Sequence, residues 1–187
     1  MMKMTRSTSS ALIAGLLLLF LVLACGSAED ETEKANKLVD EVNAAMQDGK
    51  KYVADAEDKK NKMLHTNISQ LGEARTIASE SIRAYDQAEE KVKEAVGKCE
   101  EASKLKINDK FKEYLALKVK EFNKRVELVE ALKATPQALI DSQNRSSFIS
   151  SANAATQKAE RLSKEANDLE AQADKVQKDN PDSFKKK

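Results

Sequence analysis

Apolar and small residues recur along this chain at alternating steps of three and four. The first set runs Ala35, Leu38, Val42, Ala45, Gly49, Tyr52, Ala56, the spacing of one face of a heptad helix. It predicts a helix over about Glu29 to Leu64. Gly49 weakens its middle by up to roughly 1 kcal/mol relative to Ala, and Asp48-Gly49 is also a turn dipeptide. The period survives across it, so one helix is expected.

Met63 to Gln70 forms the first joint. Asn67 followed three residues later by Gln70 has the form of a capping box, and the next seam is displaced from the first. It passes through Ile68, Leu71, Ala78, Ile82, Tyr85, Val92, Val96 and Cys99. Such a slip is either a stutter in one long helix or a true turn. A turn is favoured, because two antiparallel helices bury each other's seam while a single stalk needs a partner chain. The second helix should end near Leu105, with Ile107-Asn108-Asp109 as a connection that offers an Asn or Asp cap.

The third seam, Phe111, Leu115, Val119, Phe122, Val126, Val129, Leu132, is the most hydrophobic after the N-terminal region and is expected to lie most centrally. Thr135-Pro136 interrupts it: proline cannot donate the i→i−4 bond, so it either kinks the helix or restarts it with Thr135 as cap. Gln137 to Ser142 then continues as a helical turn or two. Asp141 to Ser147 is the most polar joint. The last seam, Phe148, Ala152, Ala155, Ala159, Leu162, Ala166, Leu169, Ala173, Val176, is mostly alanine. It lets a neighbour approach closely but buries little area per residue. Asn180-Pro181 stops it.

These four segments predict an all-α protein, an elongated up-down bundle of about four long helices, roughly 45–60 Å long at 1.5 Å per residue. The alternative is an extended oligomeric coiled coil. Composition agrees: the 187 residues include 5 Gly, 2 Pro and no Trp, with 34% charged and 4% aromatic residues. β-Sandwiches and doubly wound folds need turn residues and strand formers that this chain lacks. Lys and Arg number 32 against 31 Asp and Glu, so no basic excess marks a nucleic-acid partner. The interleaved charges suit solvated helix faces, with i,i+4 pairs expected at Glu89/Lys93, Glu94/Lys98 and Glu100/Lys104.

The N-terminus departs from this pattern. Lys3 and Arg6 precede an uncharged apolar run from Ala11 to Ala24. A basic start before a short apolar stretch reads as a secretory signal, and the run falls short of the ~20 residues of a spanning helix. It ends in Val22-Leu23-Ala24-Cys25-Gly26, which resembles the lipobox of bacterial lipoproteins. The resemblance implies cleavage before Cys25, a diacylglyceryl thioether on its sulfur, and acyl chains such as palmitate holding the protein in a membrane. It implies residence in the bacterial cell envelope. Gly26 rather than Asp after the cysteine implies the outer membrane if the organism has one. Cleavage after Ala28 by an ordinary signal peptidase is the alternative, giving a secreted helical protein without lipid.

The chain thus divides into a lipoprotein signal peptide (1–24), a lipidated Cys25 with an acidic tether (25–33), a helical bundle (34–178) and a polar, Lys-rich tail (179–187). No P-loop, GxGxxG, HExxH, CxxC or GxSxG pattern occurs, and His65 is the only histidine. Neither an enzyme nor a cofactor is expected. Cys99 reads as a small buried hydrophobe, with an intermolecular disulfide as the sharper alternative. Lys187 behind Phe184, expected as an exposed aromatic, invites comparison with the murein lipoprotein family, which joins a lipidated Cys, a heptad helix and a C-terminal Lys bonded to peptidoglycan. This chain resembles that family in the order of its parts alone. The expected function is a membrane-anchored, non-enzymatic binding or scaffold protein whose partner is a protein, the cell wall or a further copy of the chain in a homo-oligomer. A structural spacer or peptidoglycan tether is the rival.

Overall fold

The structure, a computed structural model, describes residues 28–185. Four long helices follow one another: α1 (Ala28–His65), α2 (Leu71–Ser103), α3 (Asp109–Asp141) and α4 (Arg145–Asp179). Single 3₁₀ turns lie at Ile68–Gln70 and Pro181–Phe184. The helices run up and down, and no strand occurs among the described residues.

Helix α1 continues through Gly49, which is buried against α2. Every seam position from Ala35 to Ala56 is buried or half-buried. The phase slip after Met63 is a true turn. Asn67 starts it by accepting a bond from the Ser69 amide at 3.1 Å, and the Gln70 side chain bonds Glu73 at 3.0 Å instead of returning to Asn67. The other two joints are capped by the same residue type. Asn108 Oδ1 accepts from the Phe111 amide at 2.8 Å and Asn144 Oδ1 from the Ser147 amide at 3.0 Å, each satisfying an otherwise unpaired N-terminal donor.

Pro136 does not restart α3 with Thr135 as a cap. The helix runs through it to Asp141, and both Thr135 and Pro136 are buried. Proline removes one donor and leaves the remaining ladder available, so a helix already held by packing on both sides can carry it. The polar joint before α4 is correspondingly short, residues 142–144.

The packing is serial. Helix α1 lies along α2, α2 along α3, and α3 along α4, whereas α1 and α4 have no comparable interface. Helix α3 touches all three others. The widest core sits where α1 begins: Val42, Val92, Cys99, Phe111, Leu115 and Phe122 gather there with Ala173 of α4. The C-terminal turn closes this end. Phe184 is not an exposed aromatic. Its ring lies 4.8 Å from Phe111 and 5.3 Å from Tyr114, centroid to centroid, and its carbonyl accepts from Asn36 Nδ2 at 3.3 Å. Asn108 Nδ2 donates to the Ser183 carbonyl at 2.6 Å.

Candidate functional site

An even number of passes brings the start of α1, the α2–α3 connection and the C-terminal turn to one end of the molecule. The α1–α2 and α3–α4 connections form the other end, ~57 Å away along the 38 residues of α1 at 1.5 Å each. The two ends differ in chemistry. Among the described residues the exposed large hydrophobic side chains are Leu64 (49% exposed), Leu71 (42%) and Ile149 (45%). All three line one pit at the far end, together with Met63, Leu139 and Phe148, and its volume is about 370 Å³.

Local sequence explains the pit. Leu64 and Leu71 flank the turn that Asn67 starts, and Leu64 stands one position past Met63, the last seam residue that α2 buries. Leu71 was expected within the α2 seam, yet it lies in the first turn of its helix, past the reach of its neighbours. On α4, Phe148 belongs to the seam and Ile149 stands one position off it. The pit is thus made of apolar residues beside the helix ends, where no opposing helix remains to bury them.

Arg75 and Arg145 stand at its rim. Neither makes an ion pair within 4 Å among the described residues. The other lining positions are Thr66, Asn67, Ala74, Ser142, Gln143 and Asn144, and no carboxylate is among them. The first turn of α4 carries no acid either, so its partial positive charge adds to that of the two guanidinium groups. The nearby carboxylates in sequence are already engaged by amides: Glu73 by Gln70, and Asp141 by Gln137 at 2.9 Å.

A second, larger concavity follows from the missing α1–α4 interface. It is an open groove of about 800 Å³, with α3 as its floor (Leu128, Ala131, Leu132), Val53 of α1 on one wall, and Ala155 and Ala159 of α4 on the other. Glu57 and Lys60 on one rim and Glu160, Lys164 and Asp168 on the other give it mixed charge. Glu57 is already engaged: it pairs with Lys60 at 2.5 Å and accepts the Tyr85 hydroxyl.

Cys99 is buried, and burial pushes its thiol up to about 12. The structure holds it as a core residue without a disulfide. His65 is exposed at the end of α1, with Nδ1 2.7 Å from the Asn61 carbonyl. Among the described residues no group of three or more His, Cys, Asp or Glu side chains is arranged to hold a metal, and no helix is long and apolar enough to cross a membrane. Of the expected surface pairs, Glu89 meets Lys93 at 2.5 Å. Lys98 instead reaches Glu41 across the α1–α2 interface at 2.6 Å, Glu94 pairs with Lys91, and Glu100 does not reach Lys104. Cys25, the expected acylation site, and Lys187, the expected attachment point of the rival reading, lie outside the described residues.

Comparison with protein families, with curated proteins and with solved structures finds no match to this chain.

Proposed function

We propose that this is a lipid-anchored protein of the bacterial cell envelope that acts by binding and not by catalysis. Acyl chains on Cys25 hold the start of α1 at a membrane, and the bundle carries a binding end away from it. The observation that supports this reading is the placement of Leu64, Leu71 and Ile149 together at the end opposite the start of α1. Apolar side chains of this size clustered on an otherwise charged surface mark an interaction site, and in a lipid-anchored chain their position is where an external partner has access.

The anchor is tested by metabolic labelling with a palmitate analogue, which should mark the wild-type chain and not Cys25→Ala. The binding end is tested in the same cells with a photo-crosslinking residue at position 64 and, as control, at position 90 in the middle of α2. Discrete adducts at 64 and none at 90 support the reading. Equal patterns at both positions would sink it.

The rival reading, a peptidoglycan tether through Lys187, draws less support from the topology. Phe184 is seated beside Asn36 at the end where α1 begins, and three further residues reach at most ~10 Å. A bond to the wall at Lys187 would leave the length of the bundle unused.

A further inference from the structure

The far-end pit has an electrostatic character that narrows its partner. Its apolar floor is ringed by Arg75 and Arg145, neither of which has an ion-pair partner among the described residues, and no carboxylate lines it. Other cations pair across helix interfaces: Lys98 with Glu41, Lys124 with Glu165, Arg125 with Glu170 and Lys133 with Asp86. With no carboxylate in its lining, the pit offers its two guanidinium groups to an acidic partner. Arginine suits that task, since its planar fork can bind a carboxylate through two parallel bonds.

We propose that this pit docks a segment of another protein that places one large apolar side chain between carboxylates. Three features decide among the possible occupants. The pit is concave, so it receives a projecting side chain and not a flat bilayer. It carries net positive charge, so a two-fold contact between two copies would set like charges against each other, which is destabilising. Its apolar floor needs a hydrophobic group as well as an acid, which a soluble polyanion does not supply. The apolar side chain fills the space between Leu64, Leu71, Phe148 and Ile149, and the flanking carboxylates take Arg75 and Arg145. Such a contact is small and fits a transient partner, with the charges governing approach rate and specificity more than lifetime.

This inference rests on reading the far end as the binding end, yet it can be tested apart from the anchor. A random peptide library is selected against the full chain in detergent solution and counter-selected against Leu64→Asp/Ile149→Asp. Enriched peptides should pair Leu, Ile, Phe or Trp with neighbouring Asp or Glu. Arg75→Glu/Arg145→Glu, whose altered positions are exposed, should weaken the selected peptides at least tenfold while leaving the helical circular-dichroism signal unchanged. Raising salt from 50 to 300 mM should weaken them in the wild type and have little effect in that variant.

Enrichment of neutral or basic peptides, binding indifferent to the arginine reversals, or no enrichment would overturn the proposal. So would binding of phosphatidylglycerol vesicles that the reversals abolish without any peptide being selected, which would assign the pit to a lipid surface. Self-association abolished by Leu64→Asp would assign it to a second copy. If Cys25→Ala leaves acyl labelling unchanged but acidic peptides are still selected, the anchor reading fails and the docking site stands. If the label is lost as expected and selection fails, the docking proposal alone falls.

Discussion

Arg125 donates through Nε to Oε1 of Glu121, one turn before it in α3, at 2.7 Å. Glu121 is 1% exposed, so the ion pair is set into the helix-packing surface and not on its rim. Lys118 reaches the second Glu121 oxygen at 2.5 Å, and the far side of the Arg125 guanidinium bonds Glu170 of α4 at 2.9 Å. One arginine therefore serves both a buried acid and a neighbouring helix, and fixes the lengthwise register of α3 against α4.

Removing Arg125 should cost more than removing Glu170. Arg125→Met leaves the buried Glu121 with Lys118 alone. Breaking a buried pair costs about 3–5 kcal/mol, and because Arg125 itself is one-fifth exposed a loss of about 2 kcal/mol is expected here. Glu170→Gln should cost less than about 1 kcal/mol, as for other partly exposed pairs. Urea unfolding followed by circular dichroism checks both values, and equal losses would contradict the assigned roles.

Gly49→Ala should stabilise the protein by about 0.5–1 kcal/mol. A Cβ there would meet Lys91 Cβ at 3.5 Å and Val92 Cγ2 at 3.7 Å, ordinary van der Waals contacts. Alanine also removes the entropy that glycine loses on entering a helix. A raised urea midpoint with an unchanged slope is the expected result. Gly49→Leu should instead wedge α1 from α2 and lower the midpoint.

Alkaline pH should destabilise the fold through its buried thiol and phenols. Burial raises the Cys99 thiol and the Tyr114 phenol each to about 12. Burial and the bond to Glu57 raise Tyr85 as well. In the unfolded chain these groups lose their protons near pH 9–10, so above that pH the folded state holds more protons than the unfolded one. Stability present below about pH 9 is then lost as pH rises toward 12, at up to ~1.4 kcal/mol per pH unit for each group. Cys99→Ala should make the decline shallower. At pH 8 a thiol reagent should leave Cys99 unmodified until denaturant is added, and a non-reducing gel should show no Cys99-dependent dimer.

Phe184→Ala should destabilise by about 1–2 kcal/mol, through loss of its ring contacts with Phe111 and Tyr114. Thermal melting is the measurement. An unchanged midpoint would mean that the C-terminal turn contributes nothing to the core it covers.

The sequence showed the helices more clearly than their partnership. Seam positions such as Val42, Val92, Leu115 and Leu162 were legible because a helix repeats its buried face every seven residues, and Asn67, Asn108 and Asn144 were legible as caps because their side chains compete with the backbone for its donors. Pro136 misled as a restart, since a local rule about one missing donor cannot see that packing holds the helix on both sides. Glu121 was invisible, because a charged residue next to a seam looks the same whether it faces water or two cations. Leu71 showed the limit most sharply. Periodicity assigns a residue to a stripe and says nothing about where the opposing helix ends, so an uncovered stripe position reads as core. Leu64 and Ile149, bulky residues one step off their seams at helix termini, were the available sign of the pit. The absent α1–α4 interface left no trace in any stripe.

The unbroken course of α1 through Gly49 has a mechanical consequence. Any tension between residue 28 and the α1–α2 turn passes along one covalent helix, through its own ladder of backbone hydrogen bonds, with no loop in the load path. Helices α2, α3 and α4 then serve as a side brace that keeps this strut from buckling. A pull at Leu64 would be felt at the start of α1 before any interface between helices had to slide.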